Sequence, residues 1–145
     1  MKPTPQPAHV IPIGFHQYGK EYRLYVYLFN NDEDLNTYYS RVTIPSMIDK
    51  RGVYAAAVFE APTKENKYLI GSILFSLEYL HPSLISHESV HMVFNYYEHS
   101  HGLDFTNRRR EEKFCDILEC IIDNVYKYVI DNNISYTMLP KYRLV

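Results

Sequence analysis

The hydrophobic pattern changes period at Pro82, and that change sets the architecture this chain can adopt. Before Pro82 the chain runs in short stretches rich in Val, Ile, Leu and Tyr, separated by polar or Pro-containing breaks; after it come two long segments with helical spacing. Glu21 to Phe29 reads as a strand followed by a polar turn around Asn30 to Asp34, and Tyr38 to Ile44 as a second strand. Gly52 to Ala61 and Lys67 to Leu77 flank Pro62-Thr63-Lys64-Glu65-Asn66, which reads as the connection of a hairpin. Proline lacks the amide hydrogen that a helix start leaves unpaired, so Pro82 suits the first turn of a helix running to about Glu98. Thr106 or Asn107 can cap a second helix that continues to about Asp131, where Asn132-Asn133 ends it. Residues 1–20 read as a Pro-rich extended start and residues 132–145 as an extended tail. The expected fold is α+β: an N-terminal antiparallel or mixed sheet of three or four strands, then two packed helices. A length of 145 residues, 46% of them hydrophobic and 22% charged, suits one core and one domain.

Within the first of those helices lies His87-Glu88-Ser89-Val90-His91. Residues four apart on a helix stand one above the other on the same face, so His87 and His91 can bind one metal ion through neutral ring nitrogens. Glu88 then sits beside the metal without binding it. There it can take a proton from a zinc-bound water, whose acidity the ion has raised, and return it to a leaving group. A catalytic zinc needs a third protein ligand and an open fourth position. Glu111 and Glu112, at the start of the second helix, are the candidates, since the loop from His99 to Asn107 contains Gly102 and can turn the chain back. On a helical wheel the apolar face of that helix carries Phe114, Leu118, Ile121, Ile122 and Val125, and Glu111 falls nearer to it than Glu112 does.

From about residue 67 to 125 the chain resembles the gluzincin-type zinc metallopeptidases, in which a His-Glu-x-x-His helix is followed by a ligand Glu on the next helix. Ile85-Ser86-His87-Glu88-Ser89-Val90-His91 looks like the first element and Glu111-Glu112-Lys113-Phe114-Cys115-Asp116 like the second. Small zincin-like proteins of phages and bacteria show the nearest likeness, with a small residue three positions after the ligand Glu. Cys115 fills that position if the ligand is Glu112, which the resemblance therefore favours, with Glu111 as the alternative. It implies a single zinc ion on His87, His91 and Glu112, with Glu88 as general base and a peptide or protein as substrate. In the minimal zincin core an edge strand borders the cleft, and an extended peptide can pair with such an edge through main-chain hydrogen bonds. The expected docking strand is the one directly upstream of the motif helix, with Ile73, Phe75 and Leu77 as its substrate-binding residues. Peptidases of this kind usually carry more chain, and no motif here marks an oxyanion-stabilising residue. The alternative is therefore a zincin-like, phage-type binding or inhibitor protein whose zinc is structural.

Several other features set limits. The metzincin variant needs Gly and His where this chain has Phe94 and Tyr97, and His99 and His101 miss that register and read as exposed loop residues. His16 reads as structural, and His81, just before Pro82, carries no assignment. A net charge of -2 gives no electrostatic reason to expect nucleic acid as a partner, despite Arg108-Arg109-Arg110. Those arginines oppose the helix dipole, so Glu111, Glu112 or an anion are their expected partners. No apolar run approaches the roughly 18 residues a membrane span needs, and Met1 to Pro7 shows no apolar secretion signal. Cys115 and Cys120, five apart on a helix, point in different directions and cannot bond to each other. A cytoplasmic protein is expected, in the host cytoplasm if the chain is phage-encoded. The 15 tyrosines read as the borders of the core.

Overall fold

The computed structural model describes residues 3–43, 52–60 and 62–137. Its first strand, β1 (His9–Gln17), turns Ile11, Ile13, Phe15 and Gln17 inward and the residues between them outward. Tyr18 and Gly19, with φ of 50° and 71°, then reverse the chain into β2 (Lys20–Phe29), pairing His9 with Leu28 through to Gln17 with Lys20. Positive φ at both turn residues matches the twist of the two strands, and glycine takes one of these positions without strain. The extended start expected for residues 1–20 thus contains a complete strand. Pro12 is tolerated there because β1 is an edge strand, where a missing amide donor need not break a ladder.

The segment after β2 is helical. The Asn31 side chain accepts the Asp34 amide at 2.9 Å, and Asp32, Glu33 and Asp34 place negative charge at the positive end of α1 (Asp32–Val42). Both the polar turn expected at Asn30 to Asp34 and the strand expected at Tyr38 to Ile44 are therefore corrected, Ile44 itself lying outside the described residues. Leu35 of α1 is fully buried against Phe29, Ala56 and Leu74, with Tyr38 and Tyr39 packed around them.

β3 (Ala55–Phe59) and β4 (Leu69–Ser76) complete a mixed four-stranded sheet in the order β1-β2-β4-β3. β4 runs parallel to β2 and antiparallel to β3, and all but its first residue is buried, as a strand covered on both faces requires. Gly71, at φ 141°, cannot be replaced cheaply: a Cβ there would stand 2.0 Å from the Val58 carbonyl oxygen. β3 closes onto β4 only because this position has no side chain.

α2 (Pro82–Ser100) and α3 (Arg108–Asp131) cover the face of the sheet opposite α1, capped by His81 and Asn107. α2 lies against β3 and α3 against β1. Gln17 joins three elements from within this layer: its Nε2 donates to the Lys113 carbonyl at 2.6 Å, and its Oε1 accepts the Tyr97 hydroxyl at 3.2 Å. Ile117, Ile121, Val125 and Val129 form the buried stripe of α3. No helix among the described residues is long and apolar enough to cross a membrane.

Candidate metal site on helix α2

α2 buries Ile85, Ser89, Met92, Val93, Tyr96 and Tyr97 and leaves His87, Val90, His91 and Phe94 exposed. The two imidazoles converge: His87 Nε2 and His91 Nε2 are 3.1 Å apart, with the rings inclined at 77°. Without an ion that distance suits a hydrogen bond in which one ring donates its N–H to the other. It also suits two ligands of one ion, since nitrogens on a tetrahedral zinc with bonds of about 2.1 Å stand roughly 3.4 Å apart. The pair therefore fits zinc, and it has half of a tetrahedral shell in place.

Glu88 occupies the border between the outer and inner faces of α2. Its side chain is 10% exposed, with Oε1 3.9 Å from His87 Nε2, and the Ala57 amide of β3 faces it. Burial raises its pKa above the ordinary carboxylate value, opposed by the positive potential of His91 and His87 and by the Ala57 amide. The Ala57 contact also shows which edge of the sheet the carboxylate faces. Tyr54 accepts from Ser76 and Glu60 donates to Ile70, so the even-numbered residues of β3 bond to β4. The amides and carbonyls of Ala55, Ala57 and Phe59 consequently point out of the sheet, along the edge beside α2 that no other strand among the described residues covers. A cleft of about 550 Å³ lies there, lined by Val53, Tyr54, Ala55, Ser83, Leu84, His87 and Glu88.

This arrangement corrects the assignment of the edge. Ile73, Phe75 and Leu77 belong to or directly follow β4, an interior strand paired on both sides, and Ile73 and Phe75 are fully buried. Their main chain has no free donors or acceptors to offer a peptide. The available signal is the run Leu69-Ile70-Gly71-Ser72-Ile73-Leu74-Phe75, which lacks apolar–polar alternation, because a strand buried on both faces loses it.

The third ligand is not delivered from α3. The helices run antiparallel, anchored where the Tyr97 and Phe114 rings meet at 5.4 Å and where the Tyr126 hydroxyl reaches the Pro82 carbonyl at 3.4 Å. His87 and His91 lie between those anchors, whereas Glu111 and Glu112 lie beyond Phe114, alongside the far end of α2. From His91 to Tyr97 alone is about 9 Å of helix rise. Glu112 instead faces Arg108 at 4.0 Å, and both Glu111 and Glu112 are exposed. No residue of α3 lines either opening at the imidazole pair. Among the described residues no group of three or more His, Cys, Asp or Glu side chains is placed to hold a metal ion.

His81 and His101 take structural positions, whereas His16, expected as structural, is exposed on β1. The His81 ring caps α2 by accepting the Ser83 amide at 3.2 Å. His101, expected as an exposed loop residue, is half-buried: its ring lies 3.1 Å from the Tyr96 hydroxyl and 4.4 Å, between centroids, from Tyr18. Burial and the nearby Arg110 lower its pKa. His99 is exposed and rests on Phe59. Cys115 and Cys120 are free thiols. No family model matches the chain, and no match to it is found among the curated proteins or the solved structures.

Proposed function

We propose that this chain is a zinc-dependent hydrolase that acts on extended peptides, with His87 and His91 holding the ion and Glu88 as the general base. The observation that carries the reading is the position of Glu88: a largely buried carboxylate beside two converging imidazoles, next to the outer edge of β3. When bound, zinc supplies an acidified water and polarises a carbonyl oxygen. Glu88 supplies the proton relay. A carboxylate raised by burial holds a proton more firmly than a solvated one and so is better matched to taking it and giving it back near neutral pH. The outward main-chain groups of Ala55 and Phe59, together with the Ala57 carbonyl, supply alignment, pairing with a substrate strand laid along β3, while the Ala57 amide is turned to Glu88. The resemblance to zincins agrees with this division of roles, with β3 in place of the strand next to the motif helix. Free thiols at Cys115 and Cys120 suit a reducing, cytoplasmic setting.

The decisive experiment is a survey of new peptide termini produced in a proteome by the wild type and by Glu88→Gln. Cleavages made by the wild type and lost in the variant are expected; equal cleavage by both removes Glu88 from the chemistry. One observation favours a second reading, a zincin-like binding protein with a structural metal: neither Glu111 nor Glu112 reaches the imidazoles. Zinc-dependent stability, no cleavage by either form, and a partner captured equally by both would establish that reading instead.

A further inference from the structure

The donor set at His87 and His91 is half of a shell, and its surroundings show where the other half can come from. Both imidazoles are exposed, the His87 side chain at 64%, so an ion on them is open to ligands from outside the chain. Val90 and Phe94 flank the pair and expose 41% and 42% of their surface, so the surface around the imidazoles is partly apolar. Together His87, Val90, His91 and Phe94 form one stripe at spacings of three and four along the outer face of α2.

We infer that two copies of this chain join through this stripe around one zinc ion, each contributing His87 and His91. A twofold contact brings the same patch of both copies together, so one imidazole pair becomes four nitrogens about a common point. Four protein ligands make a closed tetrahedral site with no place for water, the arrangement of structural rather than catalytic zinc. The paired form is therefore a non-hydrolytic state of the protein. The inference goes beyond the hydrolase reading and shares with it only metal binding by the histidine pair. Two apolar side chains per copy fall far short of the roughly 1,200 Å² that a stable interface buries, so self-association depends on the metal.

Sedimentation velocity on the full chain tests this, after stripping with chelator and then titrating with zinc chloride. A monomer without metal is expected, converting to a dimer with an end point at one zinc per two chains and returning to monomer on chelation. X-ray absorption of the zinc-loaded protein should give four nitrogen neighbours from imidazole. His91→Ala, a change at an exposed position whose folding is checked by its unaltered thermal melt, should remain monomeric at every zinc concentration. Phe94→Asp should bind zinc yet need at least a fivefold higher protein concentration to dimerise. A wild type that takes up one zinc per chain and stays monomeric overturns the inference and leaves the hydrolase reading standing. A wild type that binds no zinc overturns both.

Discussion

The two faces of α2 follow the same helical period and carry opposite chemistry. The inner face, with Ile85, Met92, Val93, Tyr96 and Tyr97, is closed by the sheet and α3; the outer face, with His87, Val90, His91 and Phe94, meets solvent. Residues that fill a core are accounted for by stability alone, whereas two imidazoles that converge on the outer face are not. Denaturation by urea gives the contrast a scale. Tyr97→Ala empties a fully buried site, removes the partner of Gln17 Oε1 and should cost about 3–5 kcal/mol. Phe94→Ala should fall within about 0.5 kcal/mol of the wild type. Comparable losses from the two substitutions would mean that the outer face is covered in the monomer, and the distinction between the faces would disappear.

Zinc should act on the outer face only. At a free concentration one hundred times its dissociation constant, the ion should stabilise the wild type by about 2.7 kcal/mol, which appears as a raised urea midpoint. His87→Ala and His91→Ala should melt like the metal-free wild type in its absence and gain little when it is added. A full zinc response in either variant would move the metal to another part of the molecule.

This contrast also explains which parts of the molecule were legible in the sequence. The helices were readable because Pro82, Asn107 and the long apolar periods of α2 and α3 all point to helix, and the convergence of His87 on His91 follows from their spacing alone. α1 was hidden because Tyr38 and Tyr39 favour strands by propensity, and the decisive signal was instead the Asn31 cap with its acidic first turn. β1 was hidden by the prolines around it, although Ile11, Ile13 and Phe15 alternate and Tyr18-Gly19 has the form of a hairpin turn. The docking edge is not legible because chain order says which strand precedes α2 but not which lies outermost; β3 takes the edge by pairing back onto β4, where Gly71 admits it. The position of Glu111 and Glu112 was beyond reach for the same kind of reason. It depends on how far two antiparallel helices slide past each other, which contacts such as Gln17 to Lys113 decide and no local pattern encodes.

Glu88 stands at the border of the two faces, so it should respond to pH in a way neither face does alone. Its folded pKa is raised by burial, so the unfolded chain releases this proton first as pH climbs past about 4.5. From there until the folded carboxyl has also ionised, this group makes the metal-free protein progressively less stable. Glu88→Gln has no such proton to lose and can still turn its amide oxygen to the Ala57 amide. Below the unfolded pKa the two proteins should denature alike, and toward neutral pH the variant should become the more stable of the two. A variant less stable than the wild type at pH 7 would show that the charge of Glu88 is compensated in the fold and is not held at a cost.

The smallest expected effect bears most directly on the site. Glu111→Ala and Glu112→Ala should each leave zinc affinity within about twofold of the wild type, measured by competition with a chromophoric chelator, because neither carboxylate lies near the imidazoles. Loss of a true ligand would weaken binding at least as much as loss of a supporting group around a metal, which is about 10- to 100-fold. For Glu112 to reach the ion, α3 would have to slide along α2 by several residues. That movement would break the Gln17 bond to Lys113, part the Tyr97 and Phe114 rings and withdraw the Tyr126 hydroxyl from Pro82. A tenfold loss of affinity in Glu112→Ala would therefore imply a different packing of the whole helix pair, and Gln17→Ala, by removing one of the contacts that hold α3 in register, should then strengthen zinc binding instead of leaving it unchanged.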